Sequence, residues 1–248
     1  MLLSIIIPAF NEEKTISEVL EKISMLKITD HNNLEIEKEI IVVNDCSGDK
    51  TEEIVTALSK KYPIIKLLTN QENMGKSQSV KRGILDSTGD WVVIQDADLE
   101  YDPEDFVFIL QQVLKNNCDV GYGNRFGIDN GIGYIANFWG NIFVSACSSI
   151  FTSARLHVYI PDMEVCYKLI RGAVAREIGK DLVSRSNFGF EPEITARLSR
   201  YKKADNVHLK FIVLPIKYYP RTFAEGKKMH AVKDGIKAII EIIKFNLF

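Results

Sequence analysis

The sequence predicts an α/β fold in which helices cover a mostly parallel central sheet. Short β-branched apolar runs alternate with segments of helical periodicity through the first part of the chain. This alternation is typical of parallel strands, because each helix returns the chain to the edge where the next strand begins. The length of 248 residues and the apolar content of 46% are enough for a substantial core. The sequence therefore indicates a folded domain and not a disordered chain.

The elements follow one another in a strand, helix, strand order. Apolar runs predict strands over Leu3–Ile7, Glu39–Val43, Ile64–Leu68 and Trp91–Gln95. Helical periodicity predicts helices over Glu12–Leu26, Thr51–Lys61 and Ser77–Leu85. After about Arg125 the alternation fades, and we expect helices near Gly133–Phe151 and Pro192–Tyr201, a strand near Phe211–Ile216 and an amphipathic helix over Ile236–Phe248. This second part is predicted to pack on the same core.

Composition excludes several classes of protein. The net charge is −2, from 31 Lys and Arg against 33 Asp and Glu, so we predict no nucleic-acid partner. The four cysteines form no C-x-x-C pair, which argues against a zinc knuckle and a disulfide scaffold. A secretion signal has a basic segment followed by an apolar one, and the N-terminus of this sequence does not show that pattern. A reducing, cytoplasmic location is the expectation.

The most informative feature is Asp96-Ala97-Asp98, which directly follows a predicted buried strand. Two carboxylates at such a position are costly to desolvate, so a cation or a cationic partner must compensate them. Mg²⁺ or Mn²⁺ would suit, because both prefer carboxylate oxygens and leave coordination positions for phosphate oxygens. The alternative is a solvated turn that caps a helix, since Asp102-Pro103 follows closely.

Three further turns lie at predicted helix starts, and two of them follow predicted strands. Pro8–Glu12 follows the first strand and is either a capping turn or a wall for a nucleotide. Asp45 follows the second strand and either accepts bonds from a nucleobase or ribose, or forms an Asx turn. Lys76 begins a helix after Gly75, and this turn is either an ordinary helix start or a place where an anion can bind, although the full P-loop spacing is missing. Because ligands of open α/β sheets lie at the carboxyl ends of the strands, these loops are expected to converge.

These motifs resemble those of family 2 glycosyltransferases. The matching segments, in the family's order, are Ser4–Glu12, Val42–Asp49, Asn73–Lys76 and Gln95–Glu100. The resemblance implies a GT-A fold that transfers a sugar from a nucleotide diphosphate donor. It implies that Pro8, Ala9, Phe10, Glu12 and Asp45 line the nucleoside side and that Lys76 and Arg125 contribute to donor binding. It also implies that Asp96 and Asp98 handle metal and diphosphate, with Glu100, which stands where related enzymes often have Gln, as a third ligand.

Later segments resemble the branch of dolichyl-phosphate mannose and polyprenyl-phosphate glucose synthases. They are Gly123–Phe126, Asp162–Lys168 and Tyr219–Lys228. Arg125 and Arg221 are candidates for phosphate contacts, because guanidinium groups match phosphate geometry. Asp162 and Glu164 are candidates for a general base if the acceptor is a hydroxyl, and for positioning or cation binding if it is an ionised phosphate. Glu191 is a further active-site candidate, with helix capping as the alternative.

The resulting prediction is an inverting hexosyltransferase that uses Mg²⁺ or Mn²⁺. Its expected partners are a nucleotide-sugar donor, such as GDP-mannose or UDP-glucose, and a polyprenyl or dolichyl phosphate acceptor. A lipid acceptor implies peripheral contact with a membrane. We expect one domain over 1–248, with a nucleotide-sugar half over 1–125 and an acceptor-side half over 126–248. The alternatives are cytosolic transfer to a saccharide or protein hydroxyl, and a non-catalytic nucleotide-sugar-binding module.

Overall fold

The computed structural model describes residues 1–127, 159–185, 189–220 and 239–246. Helices flank one seven-stranded sheet in this part of the chain. The strands are β1 (Leu2–Ala9), β2 (Glu37–Asn44), β3 (Ile65–Thr69), β4 (Trp91–Ile94), β5 (Val120–Asn124), β6 (Lys168–Arg171) and β7 (Phe211–Pro215). The helices are α1 (Ile16–Met25), α2 (Thr51–Lys61), α3 (Lys76–Asp86), α4 (Pro103–Lys115), α5 (Gly172–Asp181) and α6 (Phe190–Arg200), and residues 239–246 are also helical.

The sheet is mostly parallel, as the sequence predicts. Its strand order is β3-β2-β1-β4-β6-β5-β7. Strands β1 to β4 pair in parallel, whereas β6 runs antiparallel to both of its neighbours, β4 and β5. At the far edge, β7 pairs in parallel with β5. The carboxyl ends of β1, β2, β4 and β5 and the amino end of β6 therefore share one edge of the sheet, which we call the rim.

The core lies on both faces of the central strands. Every residue of β4 is buried, and Ile5, Ile6 and Ile7 of β1 are fully inaccessible. Such continuous apolar runs are expected where helices cover both faces of a parallel sheet. On one face, α3 packs so closely on β1 that a Cβ atom at Gly83 would lie 2.4 Å from a methyl carbon of Ile6. This packing fixes the amino end of α3 at the rim.

The predicted elements of the first part are confirmed, with shifted ends. Helix α1 begins at Ile16 and not at Glu12, because Glu12 accepts the backbone N–H of Thr15 in a turn before the helix. Four elements were not among the predictions: α4, β5, β6 and α5. The expected helix over Gly133–Phe151 and part of the one over Ile236–Phe248 fall outside the described residues.

The two halves expected from the sequence both contribute strands to the sheet. Strand β6 belongs to the 126–248 half but lies between β4 and β5, which belong to the first half. The acceptor-side role of the second half stays a prediction. Among the described residues, no helix combines the length and apolarity needed to cross a membrane.

Candidate active site

Two loops at the rim are joined by reciprocal hydrogen bonds. The N–H of Asn11 donates to Ser47 Oγ at 3.0 Å, and the N–H of Gly48 donates to Asn11 Oδ1 at 2.8 Å. Asn11 and Cys46 both have left-handed backbones, with φ of 54° and 58°. Asn tolerates this conformation because its short polar side chain can bond locally. The loops after β1 and β2 thus form one wall.

Asp45 lies at the centre of this wall, and its carboxylate is buried. Oδ1 accepts Asn70 Nδ2 at 2.7 Å and the N–H of Met74 at 2.9 Å, while Oδ2 accepts the N–H of Gly75 at 2.8 Å. These three donors fix the carboxylate and tie it to the turn that leads into α3. Asp45 lies at the predicted place, but its oxygens already hold the turn that carries Lys76.

The residues of the first loop occupy different depths. Pro8 pairs with Val43 inside the sheet, and Ala9 is buried, with its carbonyl oxygen accepting the N–H of Asp45 at 2.8 Å. Phe10 is 39% exposed. The N–H of Glu12 donates to Thr51 Oγ1 at 2.9 Å. Of these residues, Phe10 offers an aromatic ring at the rim.

The Asp96–Asp98 loop is anchored to α1 and to itself. The hydroxyl of Thr15 donates to the carbonyl oxygen of Ala97 at 2.9 Å, and the N–H of Glu100 donates to Asp98 Oδ1 at 3.2 Å. The turn places Asp98 almost fully inside the protein and leaves Asp96 partly accessible. The sequence did not single out Thr15, which also contacts Glu12 Oε2 at 3.2 Å.

Lys76 connects this loop to the second half of the chain. Its Nζ lies 2.9 Å from Asp96 Oδ1 and 3.0 Å from Glu191 Oε1. Burial alone would raise the pKa of Asp96, but the Lys76 ammonium, helped by a hydrogen bond from Cys166 and the charge of Lys168, more than offsets it, so the pKa is below its usual value. Burial likewise opposes the charge of Lys76, yet the two carboxylates hold its pKa well above the usual value. This contact places Glu191, a candidate in the sequence, at the site.

The donor chemistry of the loop fits a divalent cation. Asp96 and Asp98 provide the carboxylate oxygens that Mg²⁺ and Mn²⁺ prefer, and the ionised Asp96 already accepts one cationic partner. Within the described residues, no group of three or more His, Cys, Asp and Glu side chains is arranged as a metal site. Two aspartates therefore suit an ion that completes its coordination with phosphate oxygens and water.

Glu100 faces the segment that leads to Arg221. Its Oε2 accepts the hydroxyl of Tyr218 at 2.8 Å, and its carbonyl oxygen accepts the N–H of Tyr219 at 2.9 Å. Its role as a third metal ligand stays a prediction. Arg221 itself lies outside the described residues.

Arg125 and Asp162 form a buried ion pair beside the loop. Arg125 Nε and Nη2 donate to the two oxygens of Asp162 at 2.8 and 2.7 Å, and the Arg125 N–H adds a bond of 2.9 Å. Asp162 is fully inaccessible. In this arrangement both carboxylate oxygens bind Arg125, so Asp162 positions the guanidinium. The guanidinium carbon also lies 5.1 Å from the centre of the Tyr218 ring.

Glu164 and Lys168 occupy the layer beneath. Burial raises the pKa of Glu164 to about 8, and the carboxylate of Glu191 adds to this shift. Lys168 is fully buried, its Nζ donates to the carbonyl oxygen of Val165, and burial lowers its pKa. Lys168 lies in the matching segment Asp162–Lys168, but the sequence predicts no role for it, because no local pattern indicates that a lysine in a strand is buried.

A family model confirms the resemblance found in the sequence. The model described as glycosyl transferase family 2 matches residues 4–179. The chain belongs to this family. Within it, a dolichyl-phosphate beta-glucosyltransferase of Dictyostelium discoideum is 32% identical over 183 residues, which are 71% of this chain and 56% of that protein. A dolichol-phosphate mannosyltransferase of Pyrococcus furiosus is 36% identical over 127 residues, which are 51% of this chain and 34% of that protein.

The matched region spans only part of these relatives, from about a third to a little over half of their length. Two solved structures align with nearly all of this sequence. Glucosyl-3-phosphoglycerate synthase from Mycobacterium tuberculosis, in complex with Mn²⁺, uridine diphosphate and glucosyl-3-phosphoglycerate, has a TM-score of 0.61 at 15% identity and covers 100% of this chain and 80% of its own. Mannosyl-3-phosphoglycerate synthase from Rubrobacter xylanophilus has a TM-score of 0.65 at 13% identity, with coverages of 99% and 72%. These likenesses confirm the predicted GT-A fold.

Proposed function

We propose that the protein transfers a hexose, with inversion, from a nucleotide diphosphate sugar to a polyprenyl or dolichyl phosphate. The observation that carries the proposal is the convergence at one rim of Asp45, the Asp96–Asp98 loop and the Arg125–Asp162 pair. The names of the relatives support the same reaction, since they act on dolichyl phosphate. In this assignment the first two features bind the donor and the third faces the acceptor.

The donor would lie along the wall formed by the first two loops. Phe10 offers a stacking surface for the base, while Glu12 and Asp45 define the nucleoside side. The diphosphate would lie by Lys76, with Asp96 and Asp98 holding Mg²⁺ or Mn²⁺. When bound, the cation neutralises the charge that develops on the diphosphate leaving group. The protein's contribution is alignment and fixed charge.

The acceptor side supports a phosphate rather than a hydroxyl. A hydroxyl must lose a proton to a base as it attacks, whereas a phosphate monoester is already ionised near neutral pH. Asp162 is a poor base in this arrangement, because Arg125 engages both of its oxygens at 2.7 and 2.8 Å. The Arg125 guanidinium, held in this way, is oriented for a phosphate. Arg221 is the second proposed phosphate contact.

A lipid acceptor also requires contact with a membrane surface. In the helical segment 239–246, Ile240 and Ile243 are 58% and 43% exposed, while Ile242 and Phe245 are buried. The exposed pair lies three residues apart on one helix face, a spacing suited to an interfacial helix. We expect the Ile240→Ser, Ile243→Ser double variant to bind vesicles of anionic phospholipid less tightly in a flotation assay. Unchanged flotation would contradict contact through this helix.

The reaction can be tested with a short polyprenyl phosphate and radiolabelled GDP-mannose and UDP-glucose in the presence of Mn²⁺. The expected result is label in the organic phase that is released by mild acid, from one of the two donors. Label that stays in an aqueous saccharide or protein product would instead favour a hydroxyl acceptor.

The matched control pair for this assay is Asp98→Asn and Glu37→Gln. Asp98→Asn keeps an oxygen for the N–H of Glu100 but removes the charge, so transfer should fall by about 100-fold or more. Glu37 is exposed at the amino end of β2, opposite the rim, and its substitution should leave the rate unchanged. A wild-type rate for Asp98→Asn in saturating Mn²⁺ would contradict the metal assignment.

A further inference from the structure

A layer of charged side chains lies directly beneath the rim, between β5, β6 and the start of α6. We call Glu164, Lys168 and Glu191, with the Arg125–Asp162 pair, the buried charge cluster. Glu191 and Lys168 are buried, Arg125 and Asp162 are almost or fully inaccessible, and Glu164 is partly exposed as a residue although its Oε1 atom is buried. Charges at such depth need partners of opposite sign, because little water reaches them.

The cations of this region already have partners. Arg125 binds Asp162 through two nitrogens, and Lys76 binds Glu191 and Asp96. Lys168 directs its Nζ to the carbonyl oxygen of Val165 and lies 5.2 Å from the centre of the Tyr122 ring. These contacts hold the carboxylates of Asp162, Glu191 and Asp96, but they do not include Glu164.

Glu164 is the exception in the cluster. Its Oε1 is buried and has no hydrogen-bond partner among the described residues. An ionised carboxylate with a desolvated, unbonded oxygen is expensive, and a proton removes most of that cost. Burial is the main cause of the raised pKa of Glu164, and the charges of Glu191 and Asp162 raise it further. Lys168 and Arg125 oppose this shift only in part.

We propose that Glu164 is a neutral carboxylic acid at physiological pH and donates a hydrogen bond to an oxygen of the bound substrate, either a hexose hydroxyl or a phosphate oxygen. The substrate part of this inference rests on the proposed function. A buried O–H without an acceptor is itself unfavourable, so a ligand oxygen that accepts its hydrogen bond is stabilised. The O–H bond of Glu164 persists throughout, and no proton is transferred.

The neutral form also suits the charges of the substrates. Asp162 already neutralises the charge of Arg125, so a second ionised carboxylate at Glu164 would make this side of the site negative and repel a phosphate. A carboxylic acid of the same shape adds a donor without adding negative charge. Glu164 thus acts as a substrate-binding donor and not as the general base considered from the sequence.

The protonation state can be measured without any substrate. We would record infrared difference spectra of wild-type protein against Glu164→Gln, with and without Mg²⁺, across a pH series. The expected result is the C=O band of a carboxylic acid near neutral pH that disappears with a midpoint at about pH 8. A carboxylate signal alone at neutral pH would overturn the inference whether or not the protein is a glycosyltransferase.

Substrate binding is tested by comparing KM values for donor and acceptor. Glu164→Leu fills the space without a donor, so one KM should rise by about tenfold, and Glu164→Gln, whose amide can donate, should restore most of it. A higher KM for the donor would show that Glu164 binds a hexose hydroxyl or a donor phosphate. A higher KM for the acceptor would show that it binds the acceptor phosphate. Above about pH 8 the affected KM should rise in the wild type and stay level in Glu164→Gln.

Unchanged KM values in a folded Glu164→Leu would overturn the donor role. Circular dichroism shows whether Glu164→Leu folds. If it does not, the pH dependence of KM in the wild type and in Glu164→Gln tests the donor role alone. The same pH dependence of KM in both proteins would then overturn the donor role.

Discussion

At the scale of single residues, the stability of the fold depends on the Arg125–Asp162 pair. Asp162 is fully inaccessible and Arg125 nearly so, so each charge depends on the other. We expect Asp162→Asn to lower the free energy of unfolding by about 3 kcal/mol, because the guanidinium then stays buried without its counter-charge. Urea denaturation measures this change.

The matched control is Lys22→Met, which breaks a pair of 3.1 Å between Lys22 and Asp102. Lys22 is about half exposed, so water screens the interaction and the loss should be below about 1 kcal/mol. Equal losses of unfolding free energy for the two variants would show that burial does not make the Arg125–Asp162 pair more stabilising than an exposed pair.

The raised pKa of Glu164 predicts that the stability of the fold depends on pH. Its pKa in the folded protein is about 8, above the value of an unfolded glutamate near 4.3. Between these values the unfolded chain loses the proton and the native protein keeps it, so rising pH destabilises the fold. The melting temperature of Glu164→Gln minus that of the wild type should therefore increase from about pH 5 to about pH 8. A constant difference would contradict the raised pKa.

At the scale of elements, the start of helix α4 shows which aspartate of the acidic turn caps the helix. The helix is capped by Asp102, whose Oδ1 accepts the N–H of Glu104 at 3.2 Å, and Pro103 is its first residue. The capping role therefore belongs to Asp102 and not to Asp96 or Asp98.

We expect Asp102→Ala to lower the free energy of unfolding by about 1 kcal/mol, and Asp102→Asn, which can still cap, to lose less. Neither variant should lower kcat in the transfer assay. Thermal unfolding and the assay together check this, and a large loss of kcat in a stable Asp102→Asn would place Asp102 in the reaction.

The sequence predicted the first elements well because their patterns are local. Helix α2 was predicted with the bounds that the structure shows, Thr51–Lys61, since apolar residues recur there at helical spacing. Strand β6 was missed because it has four residues, begins with the buried Lys168, and acquires its neighbours β4 and β5 only in the folded sheet. The same limit applies to the site. The contact between Lys76 and Glu191 joins residues 115 positions apart, which no local pattern could indicate.

At the scale of the whole molecule, the two halves share one sheet and should unfold together. Removing residues 126–248 would take away β6 and leave facing edges on β4 and β5. We expect a fragment of residues 1–125 to lack the cooperative thermal transition of the full chain, measured by circular dichroism. A fragment that melts cooperatively would show that the first half is an independent domain.

The position of β6 has a consequence for how the length of the chain between β5 and β6 can vary. The chain leaves the sheet at the end of β5 and returns at the start of β6, and these neighbouring strands are antiparallel. Residues 126–167 thus begin and end at adjacent points of the rim, next to Arg125. Because the two ends of this segment lie side by side, a change in its length adds little to the entropic cost of closing the loop and leaves the pairing of β5 with β6 unaltered. A change in this part of the chain would alter what lies next to Arg125 while the loops that follow β1, β2 and β4 keep their places.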